Sequence, residues 1–180
     1  MSKDIADIQR VGFLTLPEFT LMAFTSAIEV MRMVNYLIGK DYYQWSVITP
    51  DGEPVASSSG IAPRDAGRYS ASCRFDVVFV CGGTNVTKYV DDRVTALLRR
   101  MSRDGIILGG LCTGPYALVT AGLLDGYHST IHWENMAGLR EQYTRVEFME
   151  ELFVIDRDRI TCSGGTAPLD MMLALVRARF

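Results

Sequence analysis

Short apolar runs alternate with amphipathic stretches along the 180-residue chain, and their periods say which element each forms. Residues 8–16 (IQRVGFLTL) read as a first strand. Residues 20–38 bring Leu21, Phe24, Ile28, Met31 and Ile38 back to one side, the spacing of an amphipathic helix. WSVIT at 45–49 predicts a second strand, stopped by the turn signal Pro50-Asp51-Gly52. Residues 55–62 are rich in Ser and Gly and read as a loop or a short edge strand. DVVFVC at 76–81 is apolar apart from its first residue, as strands covered on both faces are, and Gly82-Gly83 ends it.

Residues 86–102 read as a helix with Val90, Val94, Leu97, Leu98 and Met101 on one face. Asp91 and Asp92 stand near its start and Arg99, Arg100 and Arg103 at its end, the order the helix dipole favours. GIILGGL at 105–111 predicts another buried strand, running into Cys112-Thr113-Gly114-Pro115 and a short helix that ends near Gly122. A strand through 128–132, a helix over 134–143, the hairpin-like LFVIDRDRITC, and an apolar helix over 168–176 behind Gly164-Gly165-Thr166 complete the pattern. The alternation, with short connections, predicts one α/β domain over residues 1–180: a mostly parallel sheet flanked by helices on both faces, with its sites at the carboxyl ends of the strands.

Composition narrows the functions available. Hydrophobic residues make up 48% and charged residues 22%, which fits a chain with a packed core. The formal charge of −3 comes from 21 acids against 18 bases with no basic block, so the chain by itself is a poor binder of nucleic acid. Cys73, Cys81, Cys112 and Cys162 form no C-x-x-C pair, and His128 and His132 are the only two histidines, so no metal site is expected. The amino-terminal MSKDIADIQR has no apolar signal core and no apolar run is long enough to span a bilayer, which predicts a soluble intracellular protein without membrane contact.

The segment Gly110-Leu111-Cys112-Thr113-Gly114 between strand and helix has the form of a nucleophile elbow with cysteine as the nucleophile. Glycines on either side permit a sharp turn, and the following helix would favour a thiolate. The N–H of Thr113, with one from Gly82 or Gly83, would form an oxyanion hole, and His132 is the natural partner of Cys112. The plainer alternative is a tight turn around an inert thiol.

Residues 10–16, FVCGG, GGLCTGPYAL, AGLLDGYHSTIHWEN and CSGGTAPLDMMLALV together resemble the PfpI-type, class I glutamine amidotransferase-like superfamily over nearly the whole chain. More narrowly, EFTLMAFTSAIEVMRMVN, LLDGYHSTIHWE and RITCSGGTAPLDMML resemble the effector-sensing domain of AraC-family transcriptional regulators of the arginine-, glycine betaine- and carnitine-responsive type. The resemblance implies a flavodoxin-like fold and a homodimeric cytoplasmic regulator without cofactor. It also implies a helix-turn-helix domain after residue 180 that alone contacts DNA. The chain departs from enzymes of the superfamily at Thr113, where peptidase-like members carry histidine, and at Met22, where many members place an acid, although Glu18 is nearby.

The favoured expectation is therefore a catalytically silent sensor of a small amino acid or quaternary amine, with Cys112 and His132 vestigial. Its ligand site is expected at Cys112, Thr113, Gly82, Gly83, His132, Trp133, Glu134, Met22 and Glu29, where Trp133 and Glu134 would hold a cation. Against this, Trp133 reads equally as core packing, Glu134 as a helix start, and Glu29 as a solvated helix face. The alternative is a cysteine-dependent amidase or glyoxalase-like hydrolase using Cys112 and His132. Redox sensing at Cys112 ranks third, since no cysteine close in sequence is an evident resolving partner.

Overall fold

The run Val77–Cys81 is buried along its whole length because it lies at the centre of a sheet covered on both faces. This is strand β4 of a computed structural model that describes residues 5–70 and 72–180. The first four residues of the amino-terminal segment read above lie outside the described residues. β1 (Arg10–Thr15) pairs with β4 on one side and with β2 (Gln44–Thr49) on the other, and β3 (Gly67–Arg68) adds to β2. Beyond β4 come β5 (Ile107–Leu111), β9 (Arg159–Cys162) and β8 (Phe153–Asp156), giving the order β3-β2-β1-β4-β5-β9-β8. All pairings are parallel except the β8–β9 hairpin. A separate parallel pair joins β6 (His128–Ser129) to β7 (Glu147–Phe148).

Alternate residues of the central strands feed two cores. Val11, Phe13, Val77 and Phe79 face α1 (Leu21–Ile38) and α6 (Ala167–Arg179). Leu14, Val78 and Val80 face α3 (Asp92–Arg103), α4 (Pro115–Thr120) and α5 (Trp133–Gln142). The strand order reverses direction between β1 and β4, so a crevice is expected outside their carboxyl ends. The elbow sits there.

Several expectations need correction. The helix expected over 86–102 is two, α2 (Val86–Tyr89) and α3, because the Asp91 carboxylate accepts the Val94 N–H at 3.0 Å and caps a new start. Of the two readings of 55–62 the loop holds: Ser57 and Ser58 donate their N–H groups to the Ile61 and Phe19 carbonyls, and the edge strand is β3. The strand through 128–132 ends at Ser129, and the chain turns into α5 at Trp133. The absence of a bilayer-length apolar run also fails by composition: the 18 residues of α1 are long and apolar enough. In the fold α1 buries Ala23, Phe24, Ala27, Val30 and Met31 against the sheet and α6 and turns the Glu29–Arg32 ion pair outward.

The edge carrying β6 and β7 is tied to β8 by Asp156. Its carboxylate accepts from Arg157 Nε and Nη2 and from the main-chain N–H of His128, and His128 itself lies 3.1 Å from Glu147. The Arg157 guanidinium, then the His128 N–H, hold Asp156 down to about 2, against an opposing effect of burial. A folded-state value below the unfolded one stabilises above about pH 4 and is lost as pH falls toward 2. Asp156→Asn should therefore cost about 1 kcal/mol at pH 7, discounting for the solvent around Arg157. Urea melts of both proteins should converge as the pH approaches 2.

Candidate functional site

Cys112 occupies the turn between β5 and α4 with φ +60°, a left-handed conformation that a non-glycine residue adopts under strain. The neighbouring glycines supply space for it. A Cβ on Gly114 would stand 1.9 Å from the Val80 carbonyl oxygen, and one on Gly110 2.5 Å from the Pro115 nitrogen. The elbow read from the sequence is thus formed, and it fixes where the sulfur lies.

The sulfur is enclosed. Cys112 is 5% exposed. Burial pushes its thiol above the ordinary value, only partly opposed by the Thr20 hydroxyl and the Thr113 N–H, while the Glu134 charge raises it further. Thr20 Oγ1 donates to the sulfur at 3.4 Å. Sequence reasoning passed over Thr20 as a helix start; its hydroxyl makes no capping bond, leaving it for the thiol. Met22, aligned with the acid of the enzymes, is half-exposed on α1, and Glu18 is engaged by the Asn85 amide. The Cys112 main-chain N–H supports the sulfur of Cys162, whose thiol burial pushes up to about 12.

His132 caps α5: its Nδ1 accepts the Glu134 N–H at 3.4 Å, and its own N–H donates to the Cys112 carbonyl at 3.0 Å. A Cβ on Gly164 would meet His132 Nε2 at 2.9 Å and Cys112 Sγ at 3.5 Å, so the two groups share this glycine as a neighbour. The Glu134 carboxylate also lies 3.7 Å from His132 Nδ1.

Of the expected oxyanion donors, the Thr113 N–H is directed at the Cys112 sulfur and the Gly82 N–H faces the Leu111 carbonyl at 3.5 Å, while the Thr113 hydroxyl donates to the Gly83 carbonyl at 2.8 Å. Glu29 stands on the outer face of α1, 2.7 Å from Arg32. Cys112, Thr113, Gly82, Gly83 and His132 are therefore brought together. Trp133 and Glu134 continue from them, and Glu29 stays in its surface pair.

Beside His132 a cavity of about 500 Å³ opens, walled by Trp133 and Met136 of α5 and by Glu150, Glu151 and Leu152 before β8. Trp133 is 72% exposed, which excludes core packing. Arg140 is held across the cavity by Glu150 at 2.9 Å and the Phe148 carbonyl at 2.8 Å. Its floor includes Ile131, and the Thr130 hydroxyl fixes the loop through the Glu151 carbonyl. Sequence reasoning found Trp133 but missed the wall at 150–152, of which only Leu152 fell in the hairpin-like run. Among the described residues no group of three or more His, Cys, Asp or Glu side chains is placed to hold a metal.

The DJ-1/PfpI family profile matches residues 9–178. The chain belongs to the DJ-1/PfpI family. Within the family it is 46% identical over 170 residues to the HTH-type transcriptional regulator GbdR of Pseudomonas aeruginosa, covering 93% of this chain and 46% of that one. It is 41% identical to the HTH-type transcriptional regulator GlxA of Rhizobium meliloti, over 99% of this chain and 55% of that one. The chain thus spans about half the length of these regulators. The crystal structure of an AraC family transcriptional regulator from Pseudomonas putida superposes with a TM-score of 0.86 at 32% identity, covering 96% of this chain and 92% of that one. The flavodoxin-like, amidotransferase-like fold and the regulator resemblance read from the sequence both hold.

The buried thiol makes a direct prediction. Cys112 should alkylate with iodoacetamide at pH 8 at least about tenfold more slowly than the partly exposed Cys73, since both access and thiolate fraction are reduced. Mass spectrometry of time-stopped samples reads the order; Cys112 reacting first would overturn this view of the elbow.

Proposed function

We propose that this chain is the effector-sensing domain of a transcriptional regulator and that it binds its effector without chemistry. The observation that carries this reading is the pairing of an open cavity at Trp133 with a thiol 5% exposed next to it. The elbow residues Cys112, Thr113, Gly82 and Gly83 pack behind the cavity and outside its lining, and His132 and Glu134 flank the Trp133 that lines it. The exposed Trp133 ring and the Glu150 and Glu151 carboxylates suit an ammonium group, and Arg140 suits a carboxylate. A small amino acid or quaternary amine offers that chemistry.

The DNA-binding half belongs to a further domain, as in the longer regulators that the chain resembles, and the assembly is a cytoplasmic homodimer. An effector with unequal affinity for two arrangements shifts their populations, and through them the presentation of the DNA-binding halves. A panel of amino acids and quaternary amines should contain a compound that raises the melting temperature by about 5 °C at a hundredfold excess over its Kd. Silence across the panel would contradict the reading.

The hydrolase alternative rests on one observation, the strained φ of +60° at Cys112. Turnover of an amide or 2-oxoaldehyde that disappears in Cys112→Ala would establish it.

A further inference from the structure

A second cavity, of about 520 Å³, lies at the opposite end of the sheet, where β1 and β5 begin. Three guanidinium groups line it, from Arg10 on β1, Arg74 before β4 and Arg100 on α3, against one lining carboxylate, Asp104. In a chain whose formal charge is −3 this is a local reversal of sign. The reversal is structured. Asp76, buried, accepts the main-chain N–H groups of Gln9 and Arg10 and fixes Arg10 Nη2 at 3.2 Å, leaving the rest of that fork to face outward.

Arg100 lies over the Tyr69 ring, 5.5 Å from its centroid. The Tyr69 hydroxyl donates to Asp104 at 2.7 Å, so this carboxylate is partly satisfied by a neutral donor and sits 3.9 Å from Arg100. Burial, then Asp104, push Tyr69 up to about 12, which keeps that hydroxyl a donor at neutral pH. Arg74 has no ion-pair partner among the described residues.

We infer that this cavity binds a phosphorylated small molecule. Guanidinium groups arriving from three elements surround a multi-oxygen dianion, whereas a single carboxylate would occupy only one fork. The volume exceeds that of one phosphate, leaving room for a second phosphoryl group or an organic body. Tyr69 and Phe75 supply the apolar part of the wall. The cavity lies across the sheet from Cys112 and Trp133, so the inference goes beyond the effector reading and does not depend on it.

Calorimetric titration of the 180-residue chain with pyrophosphate and with inorganic phosphate, at constant ionic strength set with chloride, tests it. Expected is saturable binding of one pyrophosphate per chain, tighter than phosphate. Arg74→Gln should weaken it about tenfold or more. The melting temperature of the unliganded variant should change little, because Arg74 makes no ion pair among the described residues. Binding seen only at tens of millimolar, an adventitious ion only, would overturn the inference, as would an isotherm that Arg74→Gln leaves unaltered. A short DNA duplex that binds and is not displaced by pyrophosphate would also overturn it, assigning the arginines to a macromolecule.

Discussion

Gly114→Ala is expected to destabilise the protein by about 4 kcal/mol or more, at the far end of what single substitutions do. The reason is space rather than backbone conformation. Gly114 has φ −54° and ψ −34°, which any residue adopts, but its Cβ would stand 1.9 Å from the Val80 carbonyl oxygen and 2.8 Å from the carbonyl carbon. Val80 belongs to the central strand, paired on both sides, and has no room to withdraw. The elbow and β4 would be forced apart, exposing the sheet where it is most buried. Gly138→Ala is the control: nothing lies within 4 Å of its Cβ position inside α5, so it should stabilise by roughly 0.5–1 kcal/mol. Urea midpoints read both, and a loss under 1 kcal/mol for Gly114→Ala would mean that the elbow is not packed as described.

Trp133→Ala is expected to weaken effector binding by about tenfold to a hundredfold while leaving the melting temperature of the free protein nearly unchanged. The two effects separate because the ring is 72% exposed and contributes little to either core. Glu151→Gln, which removes a charge and keeps the shape of the cavity wall, should weaken a cationic ligand and spare a neutral one. A dissociation constant unchanged in Trp133→Ala would place the effector elsewhere.

The parts of the fold legible in the sequence are those set by neighbours along the chain. DVVFVC and GIILGGL are apolar because both faces of β4 and β5 are covered, and the glycines around Cys112 mark a turn that no other residue accommodates. What escaped depends on distant partners or on one competing side chain. The periodicity over 86–102 runs through the break at Asp91, because a capping carboxylate leaves the apolar spacing intact. Thr20 reads as a helix start until the fold sets Cys112 above it. The wall opposite Trp133 depends on Arg140 reaching Glu150 and the Phe148 carbonyl, a closure that periodicity does not register. Glu29 reads equally as a pocket acid, a salt-bridge former or part of a solvated face, and helix phase decides for the exposed pair with Arg32.

The central claim is recognition without chemistry at the elbow. The most direct measurement is a calorimetric titration of Cys112→Ala with the compound that most raises the melting temperature of the parent chain. The account predicts a dissociation constant within about twofold of the parent, since the sulfur is buried and lies outside the cavity wall. Loss of binding in Cys112→Ala, or conversion of the compound by the parent and not by the variant, would contradict it.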